Sequence, residues 1–265
     1  MKATVILGGG RITSALVAGL RLAGDERAIV VYDRNPGKLR TLRREARVEM
    51  ARDLKSALLR AEMLIVAVRP ASVAGILQEI VACGISMPKL CVSLAAGIPL
   101  RKLRGRLGPA VRWVRAMPSP VCRVGRGLTA LSFDRDVTKR ERRQVREFFE
   151  RVGAVLEISE SQFDAFTAAY SSSHGYHALA TLAKAAQAAG LDRTTALTAA
   201  AHALSDGILY WRESGKALTE LLHEAATPGG IAAATMSAMD ASGYARVVKN
   251  GIRAGIQQAR INARR

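Results

Sequence analysis

A chain of 265 residues, 49% of them hydrophobic, can bury a substantial core and predicts two domains. Three cysteines, Cys83, Cys91 and Cys122, are an odd number without CxxC or zinc-finger spacing, which argues against a disulfide framework or metal cage and for buried free thiols. The formal charge of +18 raises nucleic acid as a partner. The arginines, however, are mixed with acids, as in TLRREAR and TKRERRQVREFFER, and lack interleaved aromatics that would stack on bases. Solvated helix faces that steer anionic ligands are therefore expected, and nucleic acid is not.

The chain opens with ATVILGGG, an apolar run too short for a membrane span and followed by glycines rather than a cleavage pattern, so a soluble, cytoplasmic protein is expected. Residues 3–7, ATVIL, predict a buried strand, and GGGRITSALVAGLRLAG a glycine turn opening a helix that closes at Gly24. AIVVYD predicts a second strand ending at Asp33, with a helix from about Pro36. MLIVAV predicts a further strand ending at Val68. LCVSLAAG, VRWVRAMP, GLTALSF and AVLEIS continue the pattern. Strands alternating with helices predict a parallel sheet covered on both faces. After about Ser159 alanine-rich helical segments take over, punctuated by Gly190, Gly207, Gly215 and TPGG. The expected organisation is thus an α/β Rossmann-type domain over residues 1–159 and an all-α domain over residues 160–265. Residues 161–265 hold ten Lys+Arg against seven Asp+Glu, so about +15 of the charge lies in the first 160 residues. A large, weakly charged helical half rich in small residues predicts burial against another subunit.

LGGGRIT follows a strand and opens a helix. Gly8 and Gly10 are placed for a tight turn and a close approach to pyrophosphate, with Arg11 and Ile12 at the helix start. Thr13 stands where a third glycine is usual. Asp33 arrives at about the ~20-residue distance of the ribose-binding acid. An acid there suits NADH, and cations suit the 2′-phosphate of NADPH. Asp33 supports the first and Arg34, Asn35 and Lys38 the second; we favour NADPH, because Arg34 can stack on adenine and bond phosphate.

Four segments in order carry a family resemblance. AEMLIVAVRPASVAGIL resembles the strand and loop written AVKPQ in pyrroline-5-carboxylate reductases, and VSLAAGIPLRKL resembles their SIAAGI segment. VRAMPSPVCRVGRGLTALS resembles RAMPNTPALVGEGMTAL, and TPGGIAAATMSAMDASGYARVV resembles the SPGGTT segment with its trailing helix. The resemblance implies a Rossmann domain, an interlocked helical dimerisation domain, and NAD(P)H-dependent reduction of a cyclic imine, giving proline in the best-known case. It also implies that Ala67, Val68 and Pro70 line the cofactor's path, and that Ala95, Ala96, Gly97, Met117 and Pro118 lie near the nicotinamide.

Departures fall where the family holds its substrate. After DAFTA, which begins at Asp164, the family's SGSGPAY is replaced by YSSSHGY, with Ser172 at its second serine and His174 at its proline. The threonine pair after PGG becomes Ile231 and Ala232, which removes hydroxyl donors for a substrate carboxylate, and Asn-Thr-Pro after AMP becomes Ser119, Pro120 and Val121. If Tyr170 starts or lies near a helix, then Tyr170, His174 and His177 share one face and offer a proton donor. We therefore name Tyr170, Ser172 and His174 as candidate catalytic residues, and Ser171, Ser173, Gly229, Gly230, Ile231 and Ala232 as candidate substrate contacts. A polar seam is the bland alternative. A metal at His174 and His177 lacks further ligands, so none is expected. His202 and His223 are read as packing or surface residues, and Trp211 as a core or interface anchor.

The expected protein is a cytoplasmic reductase of a small cyclic imine, most readily pyrroline-5-carboxylate to proline, using NADPH or NADH. It would be a homodimer through its helical half, with higher assembly left open. The rival expectations are reduction of another imine or a carbonyl compound, and a non-catalytic, cofactor-binding regulatory protein.

Overall fold

The computed structural model describes residues 2–86 and 88–264. The chain falls into two compact units, Met1–Ala168 with Gly255–Arg265, and Ala169–Ala254. The first unit alternates strand and helix: β1 (Ala3–Leu7), α1 (Arg11–Leu22), β2 (Ile29–Tyr32), α2 (Pro36–Ala46), β3 (Glu49–Met50), α3 (Leu54–Arg60), β4 (Ala61–Val66), α4 (Pro70–Ala82), β5 (Leu90–Ser93) and α5 (Leu100–Leu107). It continues with β6 (Arg112–Pro118), the 3-10 helix Pro120–Val124, β7 (Gly127–Phe133), α6 (Lys139–Glu150), β8 (Gly153–Glu157) and α7 (Glu160–Ala169). Local chemistry sets several starts. Asn35 caps α2 ahead of Pro36, and capping boxes at Asp53/Ser56 and Thr138/Glu141 open α3 and α6.

The eight strands form one sheet in the order β3-β2-β1-β4-β5-β6-β7-β8. The order reverses at β1, which pairs in parallel with β2 on one side and β4 on the other. All pairs are parallel except β6 with β7, which is antiparallel. The expected parallel sheet departs from that pattern at this one pair for a physical reason: the short 3-10 segment between β6 and β7 cannot supply the crossover a parallel pair needs. Period-two alternation divides the core. Ile6, Val31, Ile65, Val92 and Val114 face α1, α2 and α6, while Val5, Leu7, Leu64, Val66, Cys91 and Trp113 face α3, α4 and α5. Cys91 and Cys122 are buried free thiols, and Cys83 is partly buried.

The second unit contains α8 (Ser172–Ala188), α9 (Arg193–Ser214), α10 (Leu218–Ala225), α11 (Ile231–Ala241) and the start of α12 (Tyr244–Arg264). Ala183, Ala196 and Ala200 are its buried residues, whereas Ile208, Leu209, Tyr210, Trp211, Leu218 and Val247 are exposed. Such a unit lacks a core of its own and must cover its apolar surface elsewhere. The sequence changes character at residue 159, and the last strand ends at Glu157. The boundary between the units lies further on, at Ala168, with the end of α12 counted in the first. Among the described residues no helix is long and apolar enough to cross a membrane.

Candidate dinucleotide-binding site

The reversal of strand order at β1 opens a crevice at the carboxyl ends of β1 and β4, the place where open α/β sheets bind ligands. Gly8, at the end of β1, has φ +112°, and a Cβ there would lie 2.6 Å from the Ala67 carbonyl oxygen at the end of β4. Only glycine meets both conditions. The Thr13 hydroxyl, fully buried, donates back to the Gly8 carbonyl at 2.5 Å. The residue in the third-glycine position therefore pins the loop by a hydrogen bond. Gly10 is the N-cap of α1 without a side-chain cap, the space beside it is open, and the first turn of α1 holds no acid. Arg11 is exposed and Ile12 partly buried at that start. Unused N–H groups and the positive end of a helix dipole thus face a space that a side chain does not fill, which fits a dinucleotide diphosphate.

Asp33 follows β2. Its Oδ2 accepts from the Gly9 amide and its Oδ1 from the Asn35 amide, both at 2.8 Å, and Lys38 Nζ lies 3.7 Å from Oδ2. Both carboxylate oxygens hold the chain's own amides in place. Asn35 Oδ1 accepts from the amides of Gly37 and Lys38, capping α2. Arg34 is exposed and ion-paired with Glu79 of α4.

The other candidate cofactor residues follow neighbouring strands. Ala67 and Val68 follow β4, with the Ala67 amide donating to Leu7 O at 2.8 Å, and Pro70 opens α4. Ala95 and Ala96 follow β5; next to them Gly97, at φ +77°, has its absent Cβ 2.5 Å from the Ala259 carbonyl oxygen of α12. Met117 and Pro118 end β6. The turns after β2, β1, β4, β5 and β6 thus stand in sheet order along one carboxyl edge.

The candidate substrate residues lie on two helix starts of the second unit. Ser171 caps α8, its hydroxyl 2.7 Å from that of Ser173, and Ser172, Ser173 and His174 form the exposed first turn. Tyr170 lies in the turn between α7 and α8, so the shared face of Tyr170, His174 and His177 does not form: the helix begins two residues after Tyr170. His177 Nδ1 is 3.5 Å from Thr181 Oγ1. Gly229 has φ +76° and is exposed, and Gly230 is the N-cap of α11 with no side-chain cap, its amide bonded to the Thr227 carbonyl. Ile231 is 88% exposed and Ala232 is exposed. Among the described residues no group of His, Cys, Asp and Glu could hold a metal ion.

Comparison with known proteins adds to this geometry. A family model described as NADP oxidoreductase, coenzyme F420-dependent, matches residues 3–97, and one described as pyrroline-5-carboxylate reductase dimerisation matches residues 160–261. A pyrroline-5-carboxylate reductase of Mycobacterium tuberculosis is 32% identical over 96% of this chain and 94% of its own. One from Corynebacterium melassecola is 31% identical over 92% of each. The chain belongs to the pyrroline-5-carboxylate reductase family. A Plasmodium falciparum pyrroline carboxylate reductase, solved with NADP bound, shares its fold at a TM-score of 0.87 and 20% identity, covering 99% of this chain and 98% of that one.

In this pyrroline-5-carboxylate reductase family member, one polar cluster stands outside the residues singled out by sequence. Arg115, 1% exposed in the middle of β6, donates to Glu160 Oε1 at 3.1 Å and to Asp164 Oδ1 at 2.8 Å, with its guanidinium carbon 4.1 Å from the centre of the Phe163 ring. Glu160 Oε1 also accepts from the Leu100 amide. The available signal was a charge set among buried strand residues in VRWVRAMP, which demands partners.

Proposed function

We propose that the protein is an NAD(P)H-dependent oxidoreductase that reduces the C=N bond of pyrroline-5-carboxylate to give proline. The observation that carries this reading is the row of five strand-end turns along one carboxyl edge, in a chain related over nearly its whole length to pyrroline-5-carboxylate reductases. The uncapped start of α1 and the loop Gly8–Gly10 hold the diphosphate. NADPH is the cofactor we assign, because both Asp33 oxygens already accept backbone amides, while the exposed Arg34 and Lys38 can leave their surface pairings with Glu79 and Asp33 for a 2′-phosphate. The bound dinucleotide supplies the hydride.

The remaining chemistry is positioning and proton supply. The exposed starts of α8 and α11 present Ser171, Ser172, Ser173, His174 and the amides after Gly229 and Gly230. Helix-start amides at Ile231 and Ala232 would hold a substrate carboxylate in place of hydroxyls. His174 or Tyr170 would supply a proton if the imine arrives neutral. We assign the assembly as a homodimer through the helical unit, whose exposed apolar side chains need cover. Free thiols at Cys83, Cys91 and Cys122 suit a reducing cytoplasm.

The test is oxidation of NADPH and NADH by the purified protein with pyrroline-5-carboxylate, beside a binding titration. Rapid turnover with proline formed is the expected result. Tight cofactor binding without turnover would overturn the substrate assignment.

A further inference from the structure

We propose that Arg123 is a cofactor-binding residue that contacts the dinucleotide's diphosphate from outside the glycine loop. The proposal rests on the dinucleotide reading above. The 3-10 helix Pro120–Val124 packs directly on α1: a Cβ at Gly19 would run into the Cys122 carbonyl, so the two backbones meet with no side chain between them. That contact brings Arg123 alongside α1, where its Nη2 donates to Ser14 Oγ at 2.7 Å. The Ser14 amide in turn donates to Gly10 O at 3.0 Å, so the tethered guanidinium sits about one helical turn, ~5.4 Å of rise, from the open N-terminus of α1.

Charge balance points the same way. Among the described residues, neither Arg123 nor Arg11 has a carboxylate within ion-pairing distance, and the first turn of α1 has no acid. Two cations beside the positive end of a helix dipole repel it and one another until an anion arrives. A neutral serine hydroxyl is a weak partner for a guanidinium, and a phosphate oxygen a strong, bidentate one. Arg123 is exposed and its side chain can exchange one for the other.

The experiment is a titration of the full-length protein with NADPH and with NADH, for wild type, R123A, R123Q and R123K. Because the diphosphate is common to both dinucleotides, R123A and R123Q should weaken both by a similar factor, about tenfold. R123K should recover part of the loss. R123Q keeps a polar hydrogen-bond donor without the charge, so a loss of affinity at unchanged melting temperature separates recognition from a fold defect. Affinity within about twofold of wild type, with or without a lower melting temperature, would reduce Arg123 to a brace between the 3-10 helix and α1 and overturn the proposal. A loss confined to NADPH would overturn it too, by moving the contact to the 2′-phosphate. Wild type that binds neither dinucleotide would overturn the underlying reading as well, which separates the two failures.

Discussion

The Nη2 of Arg115 lies 2.8 Å from Oδ1 of Asp164, joining the centre of β6 to α7 across 49 residues of sequence. Glu160 takes the second arm of the same fork at 3.1 Å. The cation is almost wholly out of water, while its two carboxylates keep about a third of their exposure. Removing Arg115 therefore leaves anions that are only partly desolvated, so the cost falls at the low end of that for breaking a buried pair. We expect R115M to lower unfolding free energy by about 3 kcal/mol in urea titration. R115K should lie between, since an ammonium cannot bond both carboxylates in one plane. An R115M variant as stable as wild type would sink this account.

Thr13 makes a prediction about the glycine loop. T13V keeps the volume but leaves the Gly8 carbonyl without its buried donor, a loss of about 1–2 kcal/mol, whereas T13S keeps the bond. Dinucleotide affinity should fall by roughly tenfold in T13V and stay near wild type in T13S. Equal behaviour of the two variants would show that the methyl group, and not the hydroxyl, holds the loop.

Asp33 separates bracing from recognition. Its carboxylate accepts from Gly9 and Asn35, so D33N, with one acceptor oxygen replaced by a donor, should weaken NADPH and NADH alike. R34A combined with K38A should weaken NADPH by about tenfold and leave NADH nearly unchanged. Paired titrations decide the matter. A D33N effect confined to NADH would return this carboxylate to the ribose hydroxyls.

Much of the fold is legible in the sequence, because β1, β2, β4 and β5 are short, mostly apolar runs ended by turn residues and separated by helical periodicity. The direction of β7 is not, since GLTALSF reads the same in either orientation and only the short link from Pro118 turns it around. Gly8, Gly10 and Asp33 are placed by spacing alone. The partners of Asp33 are invisible in it, because they are backbone amides. The helix face shared by Tyr170, His174 and His177 is misread because a helical pattern runs through it while Ser171, a helix cap, interrupts the backbone there. Arg115 was readable as a motif letter but not as a buried charge, whose partners lie in a distant helix.

Acid stability provides a further test at Asp25. Burial opposes its charge, but hydrogen bonds from the Arg27 side chain and amide, with the charges of Arg27 and Arg151, outweigh that and hold it below the ordinary carboxylate value of 3.8. A lowered folded-state value means that its stabilisation is complete above the unfolded value and is lost as pH falls through the folded one. The stability gap between wild type and D25N should hold steady from neutral pH down to about pH 5 and close below about pH 4. Urea titrations across that range check it. A gap that widened on acidification would reverse the sign and refute the assignment.

The four successive side chains Ile208, Leu209, Tyr210 and Trp211, each about half exposed in the single chain, bear on how the protein comes into being. A Rossmann sheet can close on itself by a first-order process. In the homodimer proposed above, a helical unit with three buried alanines would not, and its ordering would be second-order in chain concentration. Newly made chains at low abundance would wait half-finished, with a sticky helix in water, and the interval before a second copy arrives is when chaperones and proteases compete for it.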